Sequence, residues 1–365
     1  MTDATALDTD APVDDGFVPL RVRSLAHDTD DSAVVEFDTT DQPMTFTHGQ
    51  HLTLRRWFGD VEVRRSYSIC SGAPAGSLRV AIKHVPGGVF SSWAMSELRV
   101  GDEIDVLPPA GHFTHDLDPA AARRYTLLAA GSGITPVFSI AATILEHEPR
   151  STLDLLYVNR TSLSTMLLDD LHDLRDRHLG RLRINFAFTR EDSGGELLSG
   201  RPDRGRLDAL VAAGFIPADS DHAFLCGPID LITEAEAALV AAGMPADRVH
   251  REIFTTNQTG HVRMAPQDIV DQAVVATGKA TLHGRTSTFD LFEGDTVLEA
   301  VQRVRPDAPF SCRAGVCSTC QAICTTGAVE MEVNYGLTDD EVGRGYVLTC
   351  QSRPTTPELT VDYDA

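Results

Sequence analysis

Between Phe17 and about Asp116, apolar and polar residues alternate in short runs divided by turn residues. VPLRVRSLAH, AVVEFDTT, QHLTLRRWF, RRSYSICS, LRVAIKHV and EIDVLPPAG each read as a strand, and together they predict a small antiparallel β-barrel. From about Arg124 the pattern changes. YTLLAA, LDLLYV, RINFAFT and HAFLCG read as strands alternating with helical stretches such as FSIAATILEHE and TMLLDDLHDLRDRH. That alternation predicts a doubly wound, parallel α/β sheet. TTNQTGHVRMAPQDIVDQ, polar with Gly and Pro, reads as a linker. Beyond it, TLHGRTSTFDLFEG predicts two strands around a His283–Gly284 turn, and DTVLEAVQRV a helix capped by Asp295. The expected division is an acidic disordered tail (1–16), a barrel (17–116), an α/β domain (117–254), a linker (255–275) and an α+β domain (276–365).

A chain of 365 residues is too long for one core, in keeping with several domains. Its net charge of −22 argues against nucleic acid and anionic membranes as partners. The charge either aids solubility or steers the chain toward a basic protein surface, and composition alone favours the first. Tyr125 to Leu145 carries no charge for 21 residues, long enough to span a bilayer, but GSGITP breaks it into a strand and a helix. No basic, apolar leader is visible at the N-terminus. The expectation is a soluble, cytoplasmic protein.

The seven cysteines change the picture. An odd number argues against a disulfide framework. Cys312, Cys317 and Cys320 form C-x4-C-x2-C, and Cys350 follows at a distance, the plant-type spacing for a 2Fe-2S cluster. One loop wraps three thiolates around the iron, small Ala314 and Gly315 let the backbone close in, and the fourth ligand arrives from elsewhere. Zinc is the alternative, though structural zinc sites usually pair two C-x2-C knuckles. Cys324 falls outside the pattern and is expected in a strand. Strand, strand, helix and cysteine loop resemble a β-grasp, plant-type ferredoxin domain.

Three motifs lie on the first two domains. Arg65-Ser66-Tyr67-Ser68 sits on a barrel strand. HVPGGVFSSW runs a Gly-Gly turn into a helix start, where free N–H groups favour phosphate, or is an ordinary tight turn. GSGITP, Gly131 to Pro136, joins strand to helix, and Cys226-Gly227-Pro228 ends a later strand of the same sheet. Ligands in such sheets bind at the carboxyl ends of strands. In this order the motifs resemble the ferredoxin–NADP reductase family from about residue 17 to REIF at Arg251–Phe254. With the C-terminal ferredoxin the chain resembles the reductases of multicomponent oxygenases, in the group that serves phenylacetyl-CoA epoxidase and, with the same module order, 3-ketosteroid 9α-hydroxylase.

The resemblance implies an NAD(P)H-dependent oxidoreductase that holds FAD and a 2Fe-2S cluster and hands electrons to an oxygenase component. It implies that Arg65 meets the flavin pyrophosphate, that Tyr67 packs on the isoalloxazine and that Ser68 bonds near its N5. Gly88, Val89 and Ser91 then hold the FAD phosphates. Gly131, Gly133, Thr135, Pro136, Cys226, Gly227 and Pro228 line the nicotinamide-nucleotide site, with Tyr67, Ser68 and Cys226 at the chemistry. Asn159-Arg160 ends the second α/β strand where an acid would hold an NAD ribose. Arg160 is either a partner for the 2′-phosphate of NADPH or a solvated arginine, and Arg190 could line the same site; NADH is the other donor. His112 and His115 are expected to be structural or exposed, and Asp169-Asp170 a solvated helix face. A flavin-free or zinc-bound interaction protein is the competing class, and a flavohaemoglobin-like enzyme a further one, with no haem-binding domain ahead of the barrel.

Overall fold

The computed structural model describes residues 16–73, 76–192, 194–254 and 273–365. The expected tail, apart from Gly16, and residues 255–272 of the expected linker lie outside the described residues.

The first module has six strands: β1 (Val18–Thr29), β2 (Ser32–Asp38), β3 (His51–Phe58), β4 (Val61–Ser68), β5 (Leu78–Lys83) and β6 (Glu103–Val106). Their order is β4-β3-β6-β1-β2-β5, antiparallel throughout, and an Ile69–Val80 bridge joins the two ends. The inward positions of the alternating runs, Leu20, Val22, Val35, Phe37, Leu52, Leu54, Val80 and Ile82, form the core. Helix α1 (Val89–Ser96) adds Phe90 and Trp93 to it.

The second module is a parallel sheet of β7 (Arg124–Ala130), β8 (Thr152–Asn159), β9 (Leu182–Phe188), β10 (His222–Gly227) and β11 (Val249–Ile253), ordered β11-β10-β7-β8-β9. Helices α2 (Ile134–His147), α3 (Leu168–Arg177), α4 (Arg204–Ala212) and α5 (Ile229–Ala241) accompany it. The order reverses between β7 and β10, which opens a crevice at their carboxyl ends. The uncharged Tyr125–Leu145 stretch is β7, a 3-10 turn and α2; among the described residues no helix is long and apolar enough to cross a membrane. Strand β11 escapes the pattern because His250, Arg251 and Glu252 interrupt its five residues.

Barrel and α/β sheet share a core, in which Val34, Cys70, Ala81 and Phe113 pack with residues of α2 and β7. Ser139 donates to the Ser71 carbonyl (2.7 Å), and the Ala73 N–H to Thr143 Oγ1 (2.9 Å). Asp28 of β1 accepts the Leu167 N–H on both oxygens (3.0 Å each), and so ties the start of α3 to the barrel. Asp170 is no solvated face: it takes both guanidinium nitrogens of Arg79 at 2.9 and 3.2 Å.

The C-terminal module comprises β12 (Val274–Leu282), β13 (Arg285–Phe292), α6 (Val297–Val304), β14 (Gln321–Thr326), β15 (Val329–Met331), α7 (Asp339–Gly343), β16 (Tyr346–Leu348), β17 (Ser352–Pro354) and β18 (Glu358–Asp362). Its main sheet runs β13-β12-β18-β14-β16, with β12 and β18 parallel, and α6 lays Val297, Leu298, Ala300 and Val301 against it. His283 and Gly284 both take positive φ (52° and 69°), the two-residue hairpin turn read from the sequence. The cap of α6 is one residue later than expected. Thr296 accepts from the Glu299 N–H and the Glu299 carboxylate reaches back to the Thr296 N–H, a capping box, while Asp295 pairs with Arg303.

Candidate functional site

The loop from Cys312 to Cys320 joins α6 to β14, and Cys350 follows β16. All four cysteines are buried and none is in a disulfide. Left-handed residues at Arg313, Gly315 and Ser318 (φ 52°, 73° and 53°) curl the loop so that N–H groups face sulfur. The Cys312 N–H lies 3.4 Å from Cys317 Sγ, the Ala314 N–H 3.3 Å from Cys312 Sγ, and Gln351 Nε2 3.7 Å from Cys350 Sγ. A Cβ on Gly315 would stand 2.8 Å from the Val333 carbonyl, so glycine is required there.

The thiols fall into two pairs. Hydrogen bonds from Cys312 and Cys320 hold Cys317 and Cys350, respectively, below the usual thiol range, and the two donors are raised in turn. Among the described residues no three His, Cys, Asp or Glu side chains gather closely enough for a single ion. Two pairs would suit two irons with two thiolates each. Cys324 sits in β14 with its thiol toward the Thr326 carbonyl, outside the set.

Beside this loop lies a cavity of about 320 Å3 that all three modules line, a size suited to the ring of a cofactor. Tyr67 and Ser68 come from β4, Ser132 and Thr135 from the glycine loop, Glu252 from β11, and Cys312 and Cys317 from the cysteine loop. Tyr67 packs on Phe90 with ring centroids 5.7 Å apart, and burial raises its phenol pKa. The Ser68 hydroxyl (3.3 Å) and the Cys226 thiol (3.8 Å) both donate to Glu252 Oε2. Burial pushes the Glu252 carboxyl up to about 7, and burial followed by the Glu252 charge raises Cys226.

Of the other residues expected to bind flavin or nucleotide, Arg160 lines this cavity and the rest are not among its lining residues. Arg65 is half-buried and donates to the Arg64 carbonyl (2.7 Å). Gly88 is the N-cap of α1 and Val89 is exposed. The Ser91 hydroxyl is occupied within its own turn, accepting from the Val85 N–H (3.1 Å) and donating to the Gly88 carbonyl (3.3 Å). What this turn offers an anion is therefore the backbone N–H groups of the helix start.

In the glycine loop the two glycines serve different ends. Gly131 takes φ 55° with open space where a Cβ would point, so a ligand can approach. A Cβ on Gly133 would overlap the Cys226 carbonyl, so this glycine serves the packing of β10 rather than room for a pyrophosphate. Likewise a Cβ on Gly227 would lie 2.8 Å from Ala130 Cβ. Thr135 donates to the Ser132 carbonyl (3.0 Å), Pro136 is buried in the first turn of α2, and Pro228 caps α5. Arg160 lines the cavity, 53% exposed and 3.6 Å from Asp31, and its carbonyl accepts the Arg190 N–H (2.9 Å). The Arg190 side chain is exposed. His112 is exposed, and His115 is stacked on His222.

The ferredoxin module is fastened to the barrel next to the cavity. Two guanidinium groups lie over the Phe310 ring, Arg64 at 4.1 Å and Arg313 at 4.3 Å from its centroid. Ser66 and Ser311 hydroxyls are 2.8 Å apart. Sequence reasoning missed Glu252, Ser132, Ser66 and His51, all of which line the cavity. Glu252 lay inside the REIF motif, but nothing in that short charged run separates it from its neighbours.

Three family models match the chain: an oxidoreductase FAD-binding domain over residues 20–115, an oxidoreductase NAD-binding domain over 127–237, and a 2Fe-2S iron-sulfur cluster binding domain over 280–355. The chain is 39% identical to one of the subunits of the 1,2-phenylacetyl-CoA epoxidase of Escherichia coli K12, over 96% of its own length and 98% of that protein's. It is 33% identical, over the whole of both chains, to the ferredoxin reductase component of 3-ketosteroid-9-alpha-monooxygenase of Mycobacterium tuberculosis. Phthalate dioxygenase reductase shares the fold, with a TM-score of 0.59 at 23% identity over 95% of this chain and 98% of that one. The chain belongs to the branch of the ferredoxin–NADP reductase family that carries a C-terminal plant-type 2Fe-2S domain, and it is an NAD(P)H-dependent oxidoreductase passing electrons through FAD to the cluster.

Proposed function

We propose that the chain is the reductase of a cytoplasmic phenylacetyl-CoA epoxidase, taking electrons from NADPH and delivering them from the cluster to the oxygenase component. Its modules are taken as 17–116, 117–254 and 276–365. The observation that carries this reading is the shared cavity, where Tyr67 and Ser68, Thr135 and Glu252, and Cys312 and Cys317 meet. FAD, when bound, accepts a hydride and releases electrons singly, which neither a nicotinamide nor a cluster does. Tyr67 supplies an aromatic face for it, and burial holds a proton on the Glu252 carboxyl toward neutral pH against the two hydrogen bonds donated by Ser68 and Cys226. Gly131, Thr135 and the end of β10 frame the nucleotide, and Cys312, Cys317, Cys320 and Cys350 hold the irons. The higher identity with the Escherichia coli epoxidase protein supports the choice of epoxidase over the 3-ketosteroid system.

The test is reconstitution of the holoprotein with purified oxygenase components of both kinds under NADPH and under NADH. Epoxidation of phenylacetyl-CoA coupled to nicotinamide oxidation is expected. Coupling only to a steroid hydroxylase, or only to some other oxygenase, would overturn the choice of partner. Failure of anaerobic NADPH to produce a reduced-cluster EPR signal would overturn the electron path.

A further inference from the structure

His51 opens β3 and is 4% exposed. Its backbone exchanges both hydrogen bonds with Ala110, at 2.8 and 3.0 Å, so the residue has a fixed place. The next residue, Gly111, presses the loop onto one edge of the ring: a Cβ there would stand 3.0 Å from Nδ1. The opposite nitrogen, Nε2, is fully buried and has no hydrogen-bond partner. Leaving such a buried group unpaired is costly, so it is expected to meet a partner when the site is loaded. His51 lines the shared cavity together with Tyr67, Cys312 and Cys317.

We propose that His51 is a positioning residue for the electron hand-over, donating its Nε2–H to the sulfur of Cys317 once the cluster is in place. This rests on the reading that the four cysteines hold a 2Fe-2S cluster beside a flavin. Cys317 is taken as the acceptor because it lines the same cavity as His51. Such a bond would hold the Cys317 sulfur in place and spread its charge. Hydrogen bonds to cluster sulfurs set the reduction potential, and loss of such an outer partner typically costs 10–100-fold in activity or affinity. The bound groups would exchange one electron at a time, and His51 would keep its proton throughout.

The test uses the holoprotein and two variants. His51→Phe keeps a ring without a donor; His51→Gln keeps a donor without the ring. After anaerobic mixing with NADPH, flavin reduction is expected at the wild-type rate in both. In His51→Phe the flavin-to-cluster step should slow about tenfold, with a lower cluster midpoint potential and an altered EPR spectrum. His51→Gln should restore most of each. Wild-type protein labelled with 15N-histidine should show a weak nitrogen coupling in pulsed EPR of the reduced cluster, a readout that needs no variant to fold. Absence of that coupling, an unchanged cluster in His51→Phe, or a shift confined to the flavin would each overturn the proposal. A wild-type protein whose cluster NADPH does not reduce would instead overturn the electron path itself.

Discussion

At the scale of single residues, the Glu252 carboxyl has the sharpest consequence. Burial raises its pKa from 4.5 to about 7. As pH rises from 4.5 to 7, the unfolded chain sheds a proton that the folded one keeps, so this group's contribution is complete below 4.5 and lost by about 7. Glu252→Gln should therefore match the wild type in Tm at pH 4.5 and exceed it increasingly toward pH 7, by up to about 3 kcal/mol. Thermal unfolding across that range reads the difference directly. Arg160 carries a second expectation: Arg160→Ala should lower the ratio of kcat/KM for NADPH over NADH about tenfold, the ~1.4 kcal/mol of one charge-assisted contact. An unchanged ratio in steady-state kinetics would make Arg160 a partner of Asp31 only. Tyr67 and Ser68 were legible because they belong to a motif with fixed spacing. Glu252 and His51 were not, because their importance comes from burial against another module, which no local pattern records.

Elements in this chain are finished by neighbours as much as by their own ends. Helix α6 carries its own capping box, so its start was legible to within a residue. Helix α3 does not: its N-cap, Leu167, has a left-handed backbone and no side-chain acceptor, and the Leu167 N–H itself is taken by Asp28 of the barrel. Asp28→Ala should strip that N–H of its partner and destabilise the protein by about 1–2 kcal/mol in urea unfolding, with Asp28→Asn losing less. The glycine loop was read correctly as strand to helix, but the reason for Gly133 lies in β10, about 90 residues on, where sequence gives no hint.

Across the whole molecule, the order of barrel, α/β sheet and ferredoxin was legible because each has its own hydrophobic period. How they sit together was not, since Arg64, Ser66, Phe310, Ser311 and Arg313 are single residues in unrelated stretches. The barrel and sheet also meet around His48, His115, His222 and His250. His115 and His222 stack at 4.4 Å, and His222 Nδ1 lies 3.1 Å from His250 Nε2. Burial lowers His48, His115 and His250 from 6.5 to about 4, and lowers His222. The unfolded chain takes up these protons first as pH falls below 6.5, so the stability they lend is intact above 6.5 and lost toward 4, against the trend of Glu252. In matched Tm measurements His115→Phe should flatten the decline between pH 6.5 and 4. An equally steep decline would place the acid sensitivity elsewhere.

The ring of Phe310, with two guanidinium groups packed over it, has a practical meaning for traffic through the protein. Stacking of this kind depends on close, desolvated contact and yields little to added salt, whereas long-range attraction between exposed charges fades within about 10 Å at 0.1 M. The internal relay is thus insulated from the ionic surroundings, and the strongly acidic exterior is left to decide which acceptor is met and how fast. Selection could reshape that exterior for a new client without touching the wiring beneath.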